Sequence, residues 1–250
     1  MILIKLGGSV ITNKEIKYSF EEDVTRRLAD EIKESVNEDI IIVHGGGSYG
    51  HPGAEHFKLN TTSPIEIDRG TAEVQNDMRK LNDKIMDVLI SLGIWAVSLP
   101  GGVVSRYKGG ELASIDKDIF SSHIDLGLTP VTFGDVALDS EYGVTICSGD
   151  DLMAALSPMA EKAVFITDVD GVYKNGKILK TMKQDMLPLA PGDIPAGKDS
   201  IDVTGGMNAK VEKMAEIAGN CRTYIVNGKV PGRVEKLLKG EDIICTEVIR

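Results

Sequence analysis

The residues of this 250-residue chain best suited to chemistry are lysines set beside glycine-rich turns, a combination that holds and neutralises phosphate. Lys5 stands inside the apolar run Ile2–Leu6 and is followed at once by Gly7, Gly8 and Ser9. A second apolar run, Ile40–Val43, leads into His44-Gly45-Gly46-Gly47-Ser48-Tyr49-Gly50-His51. A third turn, Val203-Thr204-Gly205-Gly206-Met207-Asn208-Ala209-Lys210, enters a helical pattern. Glycine lets a ligand approach the backbone closely and permits dihedrals that aim several N–H groups at one point. Such concavities bind anions, phosphates above all. Two of them at strand ends suggest a polyphosphate held from two sides, or one phosphate meeting another.

Each candidate also has a plainer reading. An ammonium inside an apolar strand is costly unless an anion compensates it; Lys5 is otherwise an edge-strand lysine whose stem snorkels to water. Lys14, just after the first turn, reads alone as a surface lysine, and Lys210 as a helix-surface lysine. His51 could donate to an anionic oxygen, whereas His44, nearer the strand, reads as structural. Ser148-Gly149-Asp150-Asp151 is either a helix cap or a pair of carboxylates that align lysines or bind a metal; both stay open. Thr167-Asp168-Val169-Asp170-Gly171-Val172-Tyr173 can be a simple turn. At the carboxyl end of a parallel strand it would lie where α/β sheets bind ligands. Neither the Walker A pattern nor the G-x-G-x-x-G of a dinucleotide fold is present. Three anion cradles, three lysines and an acidic helix start suit phosphoryl transfer, where catalysis is mostly positioning and charge neutralisation.

Short apolar strands alternate with amphipathic helices along the chain, which predicts a sheet covered on both faces. Strands are expected at 2–6, 39–43, 94–99, 130–133, 163–167 and 223–227, with a last one at the carboxyl end. Helices are expected at about 20–36, 68–92, 150–159, 206–218 and 231–239. Val74, Met78, Leu81, Ile85, Val88, Leu89 and Leu92 recur at helical steps, and Gly93 should cap that helix. Residues 172–179 read as a hairpin with an Asn-Gly turn, and 185–200 as an exposed loop. No linker divides two cores, so one domain with two lobes, about 1–145 and 146–250, is expected.

A net charge of −10, with no compensating basic run, excludes a nucleic-acid surface. No apolar run is long enough to span a bilayer, and the first residues start a strand rather than a secretion signal. Cys147, Cys221 and Cys245 have neither zinc nor disulfide spacing, which points to reduced thiols in the cytoplasm. Asn60-Thr61-Thr62 fits a glycosylation sequon that has no use without secretion.

Taken in order, K-x-G-G-S, the second glycine turn, S-G-D, T-D-V-D-G-V-Y and T-G-G-M-x-x-K resemble the amino acid kinase superfamily over nearly the whole chain. The fold this implies is a three-layer α/β/α sandwich on a mainly parallel open sheet. Within the superfamily, H-G-G-G-S-[FY]-G-H resembles the archaeal-type isopentenyl phosphate kinases, which convert isopentenyl phosphate and ATP to isopentenyl diphosphate and ADP in isoprene biosynthesis. Fosfomycin kinases share the second histidine, and other small-acid kinases or a non-catalytic nucleotide-binding module are further alternatives. The resemblance implies that Lys5, Gly7, Gly8, Ser9, Gly47 and Lys210 hold the ATP phosphates, with Mg²⁺ as the companion ion. Lys14 would neutralise the phosphoryl group in flight, and Asp150 would orient the lysines. Gly46, Gly47, His51 and Gly149 would hold the acceptor phosphate, while Thr167, Asp168, Tyr173 and Gly205 would lie along the nucleotide. A homodimer is implied, and no protein metal ligand is singled out. Two departures are Tyr49, where the family often has Phe, and Asp151, where Gln is common.

A phosphate acceptor suits these residues. Its second pKa lies near ~6, so the attacking oxygen is already an anion and needs no general base. Ala54, Phe57, Val74 and Met78 could line a slot for an apolar tail, though an ordinary core helix would show the same residues.

Overall fold

The structure, a computed structural model, describes residues 1–59, 61–174, 176–183 and 205–249, with 205–211 described as backbone only. In chain order its strands are β1 (Ile2–Leu6), β2 (Ile40–His44), β3 (Ala96–Pro100), β4 (Ser105–Lys108), β5 (Glu111–Ile115), β6 (Thr129–Phe133), β7 (Asp135–Asp139), β8 (Gly143–Cys147), β9 (Lys162–Thr167), β10 (Tyr173–Lys174), β11 (Lys177–Ile178), β12 (Thr181–Lys183), β13 (Arg222–Asn227) and β14 (Thr246–Ile249). The helices are α1 (Gly8–Ile11), α2 (Glu22–Lys33), α3 (Gly47–His56), α4 (Ile67–Ser91), α5 (Gly101–Val104), α6 (Lys117–Asp125), α7 (Gly149–Leu156), α8 (Gly205–Ala218) and α9 (Arg233–Leu238).

Among the described residues, eight strands form one sheet in the order β12-β14-β13-β9-β1-β2-β6-β3. All neighbours run parallel except β13 and β14. Strands buried on both faces are apolar on both faces, and β1 and β2 show this directly. Ile2, Ile4, Leu6 and Ile42 point into one core with α2, α4 and α9; Leu3, Ile41 and Val43 point into the other with Phe120 of α6 and Leu152 of α7. Two separate cores on one sheet make the three-layer sandwich that the alternating pattern predicts. Lys5 shares the second of these faces by strand alternation. β1 lies between β2 and β9, so the edge-strand reading of Lys5 is wrong: it stands at the centre of the sheet.

The helix expected at 68–92 is α4, and Gly93 takes φ +77° just beyond its end. The helix expected at 150–159 stops at Leu156 and gives way to a 3₁₀ turn over Ser157–Met159. Its second residue, Pro158, has no N–H to extend the α-helical ladder. β10 and β11 pair as the expected hairpin, although Asn175 and the exposed loop expected at 185–200 lie outside the described residues.

A second sheet, β5-β4-β7-β8, was not legible in the sequence pattern. Its strands are short, and β4 and β7 carry polar residues at both ends. What fixes them is a single carboxylate. Asp139 accepts from the Gly109 and Gly110 N–H groups of one turn at 3.1 and 2.7 Å, and from Glu141 and Tyr142 of the next, both at 2.8 Å. Arg79 of α4 ties this sheet to the main body by pairing with buried Asp135 at 2.7 Å.

Burial raises the Asp139 carboxyl, but its four backbone donors outweigh that and bring it down to about 2. The folded value lies below the unfolded one, so the stabilisation is present above about pH 4 and is lost as the pH falls towards 2. Protection factors of the Gly110 and Tyr142 amides, taken relative to their intrinsic exchange rates, are therefore expected to fall across that interval. Asp139→Asn should show the lower protection already at neutral pH.

Candidate active site

The carboxyl ends of β1, β2, β6 and β9 are knitted together at one edge of the main sheet. Gly7 N–H donates to Ile166 O at 2.9 Å, Gly45 N–H to Leu6 O at 3.0 Å, and Gly134 N–H to His44 O at 3.3 Å. The two glycine turns that follow β1 and β2 meet back to back. A Cβ on Gly8 would lie 2.6 Å from Gly47 N, and one on Gly45 would lie 2.9 Å from Gly8 N. Side chains at these positions would collide with backbone that has nowhere to go. Gly47 also has φ +47°, a left-handed conformation that favours glycine. Glycine is therefore needed at Gly8 and Gly45 because two backbones pass in contact, and at Gly47 also because of its left-handed backbone.

Thr12 fastens the pair. Its hydroxyl donates to Gly8 O at 2.7 Å and accepts from Ser48 N–H at 3.1 Å, so one buried side chain bonds both turns. Thr12 was not singled out in the sequence, where a threonine after Ile11 carries no signal of its own. Ser9 extends the link to β9 by donating to Asp168 at 2.8 Å. Thr167 closes the Asp168 turn on itself through Val169. Near Tyr173, Asp170 accepts from Asn227 at 3.0 Å and from Arg233.

Lys5 pairs with Asp150 at 2.6 Å, the two side chains 12% and 20% exposed. Asp150 stands in the first turn of α7, where the helix dipole favours a negative charge. Burial of the ammonium is thus compensated, as the sequence reading required, but by a carboxylate of the protein. Ser148–Asp151 contains both a helix cap and an ion pair. Ser148 caps α7 by accepting from Asp151 N–H at 3.0 Å, while Asp150 aligns a lysine. Asp151 faces away from Lys5, towards Lys213 at 3.5 Å and the Tyr107 hydroxyl at 3.4 Å. Gly149 leaves room for the lysine: a Cβ there would lie 3.3 Å from Lys5 Cε.

Lys14 is exposed in the turn after α1. Its loop is closed at the neck, where Asn13 N–H donates to Ser19 Oγ at 2.7 Å and Ser19 Oγ donates to Asn13 O at 2.8 Å. A further anchor comes from a missing donor. Pro52 sits inside α3 and cannot bond the carbonyl one turn back, that of Ser48. Tyr18 N–H lies 3.4 Å from that carbonyl, and the Tyr18 hydroxyl donates to Asp77 of α4 at 2.7 Å. His51 is exposed on α3, one turn beyond the Gly45–Gly47 cradle.

Other expected residues sit differently. Phe57, Val74 and Met78 are 4%, 3% and 1% exposed in the contact between α3 and α4, so their role here is core packing rather than an open slot. Gly46, Gly50 and Gly53 allow that contact, because a Cβ on each would meet Met78 or Val74 within 3.2 Å. Tyr49 is buried with its ring edge against Tyr18, centroids 5.3 Å apart. Gly205 begins α8 and Lys210 lies on it, but the Lys210 side chain, like Thr204, lies outside the described residues. Among the described residues no group of three or more His, Cys, Asp or Glu side chains is gathered to hold a metal ion. The three cysteines are free thiols, and no helix among the described residues is long and apolar enough to cross a membrane.

Two anion cradles, a compensated lysine and a helix start converge at the carboxyl edge of a parallel sheet, the geometry of a phosphate-handling site. The sequence pattern of the amino acid kinase family matches residues 1–227. The chain belongs to the amino acid kinase family. Among members of known activity, it is similar to the isopentenyl phosphate kinase of Methanothermobacter thermautotrophicus, 35% identical over 99% of this chain and 98% of the relative. That of Methanocaldococcus jannaschii is 34% identical over 96% of each. A crystal structure of an isopentenyl phosphate kinase superposes with a TM-score of 0.85 at 32% identity, covering 99% of both chains. The amino acid kinase fold expected from the motifs is thereby established for this family member.

Thr12→Val keeps the shape of the side chain and removes the hydroxyl that joins the two turns. Leaving Gly8 O and Ser48 N–H without that partner should cost about 1–3 kcal/mol of stability. Thr12→Ser, which retains the hydroxyl, should recover most of it in urea unfolding.

Proposed function

We propose that this chain transfers the γ-phosphoryl group of ATP to isopentenyl phosphate, giving isopentenyl diphosphate and ADP. One observation carries the reading: the His44–His51 turn, with its second histidine, lies back to back with the Gly7–Ser9 turn. Full-length likeness to kinases of isopentenyl phosphate supports it.

The division of labour follows from the placement. Gly8 and Ser9, with Gly47, offer backbone N–H groups to the ATP phosphates, Gly7 lets the chain pass close beneath them with its own N–H held by Ile166 O, and Lys5 and Lys210 supply positive charge. Thr167, Asp168, Tyr173 and Gly205 lie along the nucleotide, on the carboxyl-terminal lobe from about residue 146 onward. Gly46, Gly47 and His51, on the lobe formed by residues up to about 145, hold the acceptor phosphate together with Gly149 of the other lobe. Because Gly8 and Gly47 touch, donor and acceptor phosphates meet without either having to move far. An acceptor oxygen attacks the γ-phosphorus, the new P–O bond forms, and the bond to the β–γ bridging oxygen breaks as ADP leaves. The acceptor oxygen is already ionised, so no side chain removes a proton; His51 serves as a hydrogen-bond donor that orients it. Lys14 meets the charge on the transferring group, and Asp150 keeps Lys5 aimed along the sheet edge.

Mg²⁺ binds chiefly through substrate phosphates and water, with few protein ligands. Its contribution is to neutralise phosphate charge. We place the enzyme in the cytoplasm as a homodimer; the free cysteines suit a reducing compartment.

His51→Ala should raise KM for isopentenyl phosphate or nearly abolish turnover, while leaving ATP affinity within about twofold, since only the acceptor loses a hydrogen bond. Steady-state kinetics with isopentenyl phosphate, dimethylallyl phosphate and fosfomycin side by side test both role and substrate. An equal loss of ATP affinity would contradict the role of His51, and no turnover of isopentenyl phosphate by the wild type would contradict the function.

A further inference from the structure

His44 ends β2 and is fully buried, its ring stacked on Phe133 at 4.8 Å and 16°. Nothing in the phosphoryl-transfer scheme uses it. Its surroundings, however, dictate where its proton lies. Nδ1 is 3.1 Å from Gly45 O. A carbonyl oxygen only accepts, so Nδ1 carries the hydrogen. Burial holds the ring neutral, with its pKa brought down to about 4, which leaves Nε2 as a lone pair in need of a donor.

The side chain facing Nε2 is the amide of Asn82, itself 2% exposed. Its Oδ1 is placed 3.3 Å from Nε2, and its Nδ2 2.8 Å from Ser98 Oγ. The two ends of an amide are nearly isosteric, and the hydrogen-bond network decides between them. Turned over, the amide donates from Nδ2 to His44 Nε2 and accepts at Oδ1 from the Ser98 hydroxyl. Every polar atom in the chain Ser98–Asn82–His44–Gly45 is then satisfied. In the opposite orientation two acceptors would face each other in a buried place, which costs about 1–3 kcal/mol.

The end of this relay is the first peptide of the acceptor cradle. In a trans peptide the C=O and the following N–H point to opposite sides. Pinning Gly45 O towards His44 therefore turns the Gly46 N–H away from the core. Among the described residues that N–H donates to no protein acceptor. We propose that His44 is a positioning residue whose Nδ1–H fixes the Gly45–Gly46 peptide so that the Gly46 N–H faces the acceptor phosphate. This rests on the reading that Gly46 holds that phosphate. His44 touches neither substrate and acts only through the peptide it orients.

Two measurements test it on the full-length protein. Nitrogen-15 resonances of the histidine rings, assigned by single substitutions of His51, His56 and His123, report the tautomer without substrate. The expected result is a His44 ring that is neutral and protonated at Nδ1 between about pH 5.5 and 8; protonation at Nε2 would overturn the proposal. The second compares His44→Asn, whose amide nitrogen overlays Nδ1, with His44→Gln, whose amide nitrogen overlays Nε2. His44→Asn should stay within about threefold of wild type in KM for isopentenyl phosphate, whereas His44→Gln should raise it about ten- to hundredfold, with KM for ATP unchanged. Equal impairment of both folded variants, or equal shifts in both KM values, would overturn it. Should either variant fail to fold, the tautomer decides alone. Failure of the substrate assignment is seen separately, as absent turnover in the wild type with the tautomer as expected.

Discussion

The contact between Gly8 and the Gly45–Gly47 backbone is the constraint from which the rest of this molecule follows. Two phosphates repel, so an enzyme that joins them must hold both on anion cradles set side by side. That can be done with rigid backbone only if the cradles themselves touch, and they touch only if neither carries a side chain. A Cβ on Gly8 would sit 2.6 Å from Gly47 N, closer than any packed carbon is found. Parallel pairing of β1 with β2 puts the two turns side by side, and Thr12 then fixes their spacing from behind. The open sheet with helices on both faces is what holds that edge still.

The charges are placed to serve the same contact. Lys5 is the one lysine inside β1, and alternation turns it towards α7, where Asp150 waits in the first turn. A buried pair of this kind is not strongly stabilising in itself, because desolvation offsets most of the attraction. Its value lies in direction: the carboxylate and the helix start hold a flexible four-carbon stem along the sheet edge. Lys14 is handled by different means. Its loop is closed by Ser19 and anchored to α3 and α4 through Tyr18, which accepts φ +59° to do so. A bulky residue in the left-handed region is strained, and here the strain accompanies a loop that carries a proposed catalytic cation.

Much of this was legible in the sequence because it is local. Glycine runs after apolar strands, the four-residue steps of α4 and the apolar runs of β1 and β2 are readable within ten residues. The placement of Lys5 at the sheet centre was not, since strand order joins residues 2–6 to 40–44 and 162–167. The second sheet escaped because Asp139 reaches back to Gly109 and Gly110, a bond between distant turns. Thr12 and Asn82 escaped for a related reason: each is an unexceptional residue made important by what folds against it. Phe57, Val74 and Met78 show the reverse error, apolar residues near the cradle that serve the core. Tyr49 and Asp151, the two departures from the family pattern, both found partners away from the cradle contact, against Tyr18 and Lys213.

The account stands on the claim that the first turn receives the donor and the second the acceptor. A crystal structure with ADP and isopentenyl diphosphate bound together tests it most directly. The β-phosphate of ADP should lie on the Gly8 and Ser9 N–H groups, with the terminal phosphate of the diphosphate between them and Gly46, and its inner phosphate against His51. Nucleotide phosphates seated on Gly46 and His51, or an isoprenoid bound away from both turns, would contradict it.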